Sequence, residues 1–396
     1  MKSLFYIYTV VFLFEKIGLI PSFPINDNFE IRFTIIIEFI FLIQAFIHYK
    51  KFLFLINHVK GLKLFMVSIL IFSLITFHKF YFLHSLIVGA RLFMMLTVAF
   101  IPSIYKFDTN TLKKNFKIFN IIINGYILYL LFTFFIGNHI GERYFGVMGD
   151  SFAWVLSIFC FYEYVNKKWV LFGVYLLILI FVCGSLSAFI FLIFSILFFQ
   201  IQKGGQLLEI IKPISALLIL VFITFLISPN ILTNNAYLAR FQIGGKSDYN
   251  RSEKLRSASF LINLQQSKKS FFVPQGTGSS SFEASQISTS NDKMPNDINY
   301  QIASLPTLEI FRVIREQGVY GLFIYLSFII PLLKFIYRYK FNSKQKEFQS
   351  LSYYFFIFIV FNMILFLPGS ILLFTFVIFL SFYIKNIDNY YSENSN

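Results

Sequence analysis

Long apolar runs recur along almost the whole chain, near 4–20, 31–47, 62–77, 80–102, 116–136, 151–165, 168–183, 185–201, 213–228, 318–337, 350–367 and 369–384. Runs of this kind are solvated only by lipid or by other helices. The chain is 57% hydrophobic and 13% charged over 396 residues, which leaves too little charge to cover a water-facing surface. The pattern predicts an all-α integral membrane protein with about twelve transmembrane helices, because helices satisfy their own backbone groups in hydrocarbon. Several runs fall short of the roughly 20 residues that cross hydrocarbon squarely; local thinning or burial among neighbours accommodates them.

The loops between the runs carry a charge pattern that orients them. Lys50, Lys51, Lys60 and Lys63 follow the second run, and Lys106, Lys113, Lys114 and Lys117 follow the fourth. Lys167 and Lys168, then Lys203 and Lys212, then Lys334, Arg338, Lys340, Lys344 and Lys346 continue the alternation. The short loops between hold Arg32, Lys79 and Arg143. The positive-inside rule then places both termini in the cytoplasm. Lys2 followed by an apolar stretch has the look of a signal peptide, but Ile20-Pro21-Ser22-Phe23-Pro24 offers no small-residue cleavage site, so the segment is expected to remain as the first membrane helix.

The net charge of +15 is spread over these loops rather than gathered on one face, which argues for membrane topology and against nucleic-acid binding. Three regions follow: transmembrane helices 1–9 over 1–228, a large extracytoplasmic loop over 229–317, and helices 10–12 with a cytoplasmic tail over 318–396. Within the loop, 279–300 is rich in Ser, Asn and Asp and reads as a flexible connection.

The candidate chemistry lies in and beside this loop. Arg251 to Leu264 has helical spacing, with Leu255, Phe260, Leu261 and Leu264 on one side and Asp248 or Ser252 available as a cap; such a short amphipathic helix lies on the membrane or the top of the bundle. Arg251 and Arg256 on it, with Lys268 and Lys269 beyond, suit either anionic lipid headgroups or a diphosphate, whose oxygens guanidinium binds in pairs. Pro274-Gln-Gly276-Thr-Gly278 is a turn-forming stretch. Arg143 stands on an outside loop among Gly141, Gly146 and Gly149, where glycines permit close backbone approach; it serves a ligand or pairs with Glu142 or Asp150.

Before the tenth run, Pro306 to Gly318 alternates apolar and charged residues as an interfacial helix does. Arg312 can pair with Glu309 at i−3 and Glu316 at i+4, and Arg315 lies beside it. Glu309 is a carboxylate at the mouth of the bundle, where a general base would sit. Arg91 lies mid-run, about 15 Å from either end of its helix and too deep to snorkel fully. Intramembrane ions are usually paired, and Glu38 is its obvious partner.

Other chemistries find no footing. There is no phosphate-binding glycine loop, zinc spacing or Ser-His-Asp signature; the 5 histidines form no cluster, and the 2 cysteines, Cys160 and Cys183, lie in apolar runs.

Taken in order, four segments resemble the O-antigen polymerase and O-antigen ligase family of bacterial membrane glycosyltransferases. They are Arg143-Tyr-Phe-Gly146-Val-Met-Gly149-Asp150, Cys183-Gly-Ser-Leu-Ser-Ala188, Arg256 with its helix and Pro274-Gln-Gly276-Thr-Gly278, and Glu316-Gln-Gly318-Val-Tyr-Gly321. The second departs from the family pattern, which carries an Arg after Ser. The resemblance implies a reaction outside the cytoplasm, on the outer face of the bacterial inner membrane, that needs neither metal nor cofactor. A sugar hydroxyl attacks the anomeric carbon of a glycan on undecaprenyl diphosphate, and the lipid diphosphate leaves. It implies Arg143 and Arg256, helped by Arg251, as diphosphate ligands and Glu309 as the base; Arg312, Arg315 and Arg91 are further candidates from their own positions in the sequence. Its partners would be the undecaprenyl-diphosphate-linked oligosaccharide, membrane lipid, a chain-length regulator and a flippase of the same pathway. The ligases resemble one another in a His ahead of the glycine that opens the late helix; the corresponding position is Thr307. That absence favours the polymerase over the ligase. A lipid-linked oligosaccharide flippase is the alternative of another class, although no two-halves repeat is visible.

Overall fold

The computed structural model describes residues 1–21, 23–26, 29–137, 144, 146–149, 151–203, 263–280, 282, 309–339, 345–361 and 370–394. Among the described residues each apolar run is mostly helical; the run 213–228 and residues 362–367 and 369 lie outside them, and Ile31 belongs to a strand. The helices are α1 (Lys2–Ile17), α2 (Phe33–Ile47), α3 (Tyr49–His58), α4 (Leu62–Leu74), α5 (Phe82–Val98), α6 (Ile101–Ile104) and α7 (Thr109–Ile136). They continue as α8 (Ser151–Val165), α9 (Trp169–Leu177), α10 (Leu186–Gln202), α11 (Glu309–Tyr339), α12 (Lys346–Val360) and α13 (Ile371–Asn394). Between α1 and α2 a small antiparallel hairpin pairs Phe23–Asn26 (β1) with Phe29–Ile31 (β2), Pro24 facing Glu30. The expectation of an all-α chain is corrected by this hairpin, which holds the two strands found among the described residues.

The span count differs from the expected twelve. Among the described residues three helices are long and apolar enough to cross a membrane: Thr109–Ile136, Glu309–Tyr337 and Ile371–Ser392. A fourth arises if α2 and α3, bent by 95° across His48, count as one broken span. That bend makes a helix of the Lys50–Lys51 stretch, which the charge pattern had suggested was a loop. Other apolar helices have 10–17 residues, short of a square crossing. Some of the outward surface is apolar in the manner of a lipid-facing protein: Leu128, Phe132 and Ile136 on α7 are each at least 65% exposed.

The chain divides into two compact units, Met1–Phe119 with Ser252–Tyr337 and Ile359–Asn396, and Asn120–Arg251 with Arg338–Phe358. In the first, α1 ends where Gly18 turns left-handed and Leu19 N–H reaches back to the Phe14 carbonyl, a C-terminal cap open to glycine at low cost. Its Phe12 stacks on Phe374 of α13 at 4.2 Å. Glu15 caps the next helix from outside, accepting from Thr34 N–H at 3.0 Å and Thr34 Oγ1 at 2.7 Å. Small residues let α4 and α5 meet closely: a Cβ on Gly89 would fall 2.0 Å from Ser73 Oγ. The same economy brings Gly61 against α11, where a Cβ would fall 2.2 Å from the Ser327 carbonyl oxygen.

The second unit has an aromatic core, with Trp154 of α8 between Phe191 of α10 and Phe358 of α12 at 5.1 and 5.2 Å. Tyr354 of α12 and Ser157 of α8 are hydrogen-bonded at 3.1 Å. After α9 the helix widens to a π turn over Ile178–Val182 before the Gly184 turn, φ 55°. Such local widening is a known feature of functional segments.

Candidate functional site

The site begins with a break in α11. Gly318 has φ 67° and ψ −165°, a backbone that side-chain-bearing residues avoid, and it separates an arm at 309–317 from the longer one that follows. A broken helix leaves carbonyls bare on one side and N–H groups bare on the other, and in an apolar setting both need partners. A strap formed by residues 271–280 supplies them. Gln275 and Gly276 N–H groups donate to the Arg315 and Glu316 carbonyls at 3.3 and 2.7 Å, and Val319 N–H donates to the Phe271 carbonyl at 2.8 Å. Thus the strap splices the two arms.

The other edge of the strap is fixed to α4 and α5. Thr277 Oγ1 donates to the Ile69 carbonyl at 3.0 Å, and Ser85 Oγ donates to the Thr277 carbonyl at 2.5 Å. Tyr81 OH donates to the Gln275 carbonyl at 2.7 Å, and Lys79 Nζ reaches the same oxygen at 3.4 Å. The two glycines of the turn are where the backbone comes closest. Gly276, φ +103°, would place a Cβ 1.9 Å from Thr76 Cγ2, and Gly278, φ +81°, would place one 3.0 Å from Val88. Gly276 through Ser280 are buried. The sequence reads this stretch as a turn; the structure makes it an inserted wedge.

On the first arm of α11 the charges are paired as the i−3 and i+4 spacing predicts. Arg312 Nε donates to Glu309 Oε1 and Oε2 at 3.0 and 2.9 Å, Nη2 also reaches Oε1, and Nη1 donates to Glu316 Oε2 at 2.8 Å. The second oxygen of Glu316 accepts from Ser280 Oγ of the strap. Glu309, Arg312, Arg315 and Glu316 are all buried. Removing two carboxylates and a guanidinium from water is costly, and the cost is met only when each lone pair and proton is used. Arg312 therefore acts as the bracket of the arm, and Ser280 ties the arm to the strap. His84, on α5, stacks edge-on against Phe282 at 5.3 Å and lies within electrostatic reach of Glu316.

Of the residues singled out in the sequence, Arg143, Arg251 and Arg256 lie outside the described residues. Most of the expected 251–264 helix does too; its end is described, and helix runs through 263–269. Glu309, Arg312 and Arg315 share the first arm of α11. Arg91 sits elsewhere in the same unit, its Nε 3.9 Å from Glu38 Oε2, which is the partner its depth called for. Sequence reasoning passed over Ser280, Thr277 and His84. Their roles depend on pairings between elements, 36 positions apart for Ser280 with Glu316 and 208 for Thr277 with Ile69, for which spacing along one helix carries no signal.

In the second unit the segment around Arg143 reaches the residue that precedes the Cys183 segment. Tyr144 N–H donates to the carbonyl of Val182, the residue before Cys183, at 3.0 Å. Gly146, φ +59°, would put a Cβ 2.4 Å from Tyr126 OH, and that hydroxyl accepts from Met148 N–H at 3.0 Å. Of the glycines beside Arg143, Gly146 thus serves close approach, Gly149 has open space where a Cβ would fall, and Gly141 lies outside the described residues. No protein-family model matches this chain, and neither a curated protein nor a solved structure matches it.

Proposed function

We propose that this chain is a membrane glycosyltransferase that polymerises undecaprenyl-diphosphate-linked oligosaccharide repeat units into O-antigen or capsular polysaccharide. On this reading it crosses the bacterial inner membrane about twelve times, the helices shorter than a square crossing being accommodated by local thinning, with both termini in the cytoplasm. The observation that carries the reading is the bond from Gly276 N–H to the Glu316 carbonyl at 2.7 Å. It joins two segments that resemble the family, 274–278 and 316–321, which lie far apart in the sequence. The bond from Tyr144 to the Val182 carbonyl brings the Arg143 segment to the edge of the Cys183 segment.

The chemistry requires cations where diphosphate charge develops and a base beside the acceptor hydroxyl. Arg143, Arg256 and Arg251 are the proposed diphosphate ligands, and Glu309 the proposed base. Because Arg312 holds both oxygens of Glu309, the base must be released before it can take a proton. An incoming diphosphate competes for the Arg312 guanidinium, with Arg315 beside it, and frees the carboxylate at the moment the acceptor arrives.

Deletion of the gene, followed by gel and mass analysis of surface glycan, tests the proposal. Glycan capped at a single repeat unit is the expected result. Long lipid-linked polymer that never reaches its final acceptor would make the protein a ligase, and repeat units trapped on the cytoplasmic side would make it a flippase.

A further inference from the structure

Away from the strap, α1, α2 and α5 carry a second set of buried polar groups that the proposed reaction does not use. Tyr8 and Glu15 lie two turns apart on α1, and Thr34 and Glu38 one turn apart on α2, so the four form two rungs between the helices. The upper rung, Glu15 with Thr34, is complete. The lower rung is not. Tyr8 OH donates to Glu38 Oε1 at 3.0 Å, but Arg91 Nε stands 3.9 Å from Glu38 Oε2, beyond hydrogen-bonding distance. Glu38 Oε2, Arg91 Nε and Arg91 Nη2 are buried and have no hydrogen-bond partner. The Glu38 side chain is 0% exposed and that of Arg91 14%.

The unmet groups define what fits between them. Nε and Nη2 form one edge of the planar guanidinium and offer two N–H donors; Oε2 offers an acceptor. An anion would suit Arg91 and be repelled by Glu38, while a cation would do the reverse. An oxygen that accepts from the two N–H groups and donates one O–H to the carboxylate satisfies all three, and that pattern is a hydroxyl. We propose that the gap between Glu38 and Arg91 is a binding site for one hydroxyl oxygen, supplied by water or by a sugar. Arg91 follows Val88 by about one turn on α5, and Val88 lies against Gly278 of the strap. The site stands on α1, α2 and α5 and does not depend on the proposed reaction.

Infrared difference spectra of the full-length protein in lipid nanodiscs test it, with exchange into H2-18O and addition of methyl glucoside as the two probes. Wild-type protein is expected to give a narrow O–H stretch from a bound hydroxyl, lost in Arg91→Lys, which keeps the charge and removes the two-donor edge. Arg91→Met is expected to lose it as well, and near-native melting of either variant shows that the loss is local. A band that shifts with 18O and ignores the glucoside identifies water. A band that appears only with the glucoside and ignores 18O identifies the sugar. Wild-type and Arg91→Lys spectra that coincide under both probes overturn the proposal.

Discussion

Gly276 donates its N–H to the carbonyl of Glu316 at 2.7 Å, so the Pro274–Gly278 turn completes the capping of a helix that breaks two residues later. Strap and break are therefore one element, and damage to either should be felt in both.

Gly276→Ala tests that unity. Its Cβ would fall 1.9 Å from Thr76 Cγ2 and 3.0 Å from the Phe72 carbonyl oxygen, at a φ of +103°. Left-handed strain and overpacking together should cost about 2–4 kcal/mol. Thermal melting in detergent should show the loss, and an unchanged midpoint would mean that the strap does not hold this position.

Arg312→Ala should be more harmful than Glu309→Gln. The first leaves two buried carboxylates without their cation, which costs about 3–5 kcal/mol. The second leaves Arg312 on Glu316, with its 2.8 Å bond in place. Melting midpoints give the order; glycan analysis of the Glu309→Gln strain separates a base, whose loss stops chain growth, from a bystander, whose loss leaves it intact.

Thr277→Val keeps the shape of the wedge and removes one donor. The Ile69 carbonyl would lose its 3.0 Å bond from Thr277 Oγ1. That carbonyl still accepts from Ser73 Oγ at 2.8 Å, so the change removes one hydrogen bond without orphaning a buried group and costs about 0.5–1.5 kcal/mol. Hydrogen exchange at 271–280 should quicken relative to the rest of the unit if the bond anchors the strap, and remain as in wild type if it does not.

Asp108 should give the protein an acid-side dependence of its own. The carboxylate accepts from Thr111 N–H at 3.1 Å and from its hydroxyl at the start of α7, and these bonds, the side-chain one foremost, hold its pKa below the usual aspartate value. A depressed carboxylate adds stability that is complete above its unfolded pKa, near 4, and is lost as pH falls through the folded value. Asp108→Asn should flatten that part of the melting profile, and a variant whose slope matches wild type would remove the bonds from the account.

Much of the helical layout was legible because apolar periodicity is local. The runs at 151–165 and 185–201 match α8 and α10 to within a residue at either end. Three ion pairs were legible for the same reason or for a physical one. The bracket of Glu309, Arg312 and Glu316 follows from the turn of a helix, and the pairing of Arg91 with Glu38 follows from the expense of an intramembrane charge. What could not be read was non-local. Nothing in Tyr49–His58 signals that its helix leaves α2 at 95°, and nothing in Pro274–Gly278 distinguishes a surface turn from a wedge whose backbone splices another helix. Fewer than twelve helices among the described residues reach spanning length because hydropathy measures a run and not the helix it becomes: α9 ends at Leu177, where a π turn takes over.

The most direct measurement is reconstitution of the purified protein in liposomes with a synthetic polyprenyl-diphosphate-linked repeat unit, with EDTA present and no nucleotide. The account predicts a ladder of lipid-linked products, each one repeat longer than the last, together with released polyprenyl diphosphate. Recovery of the repeat unit unchanged, from protein that is folded and inserted, would contradict it.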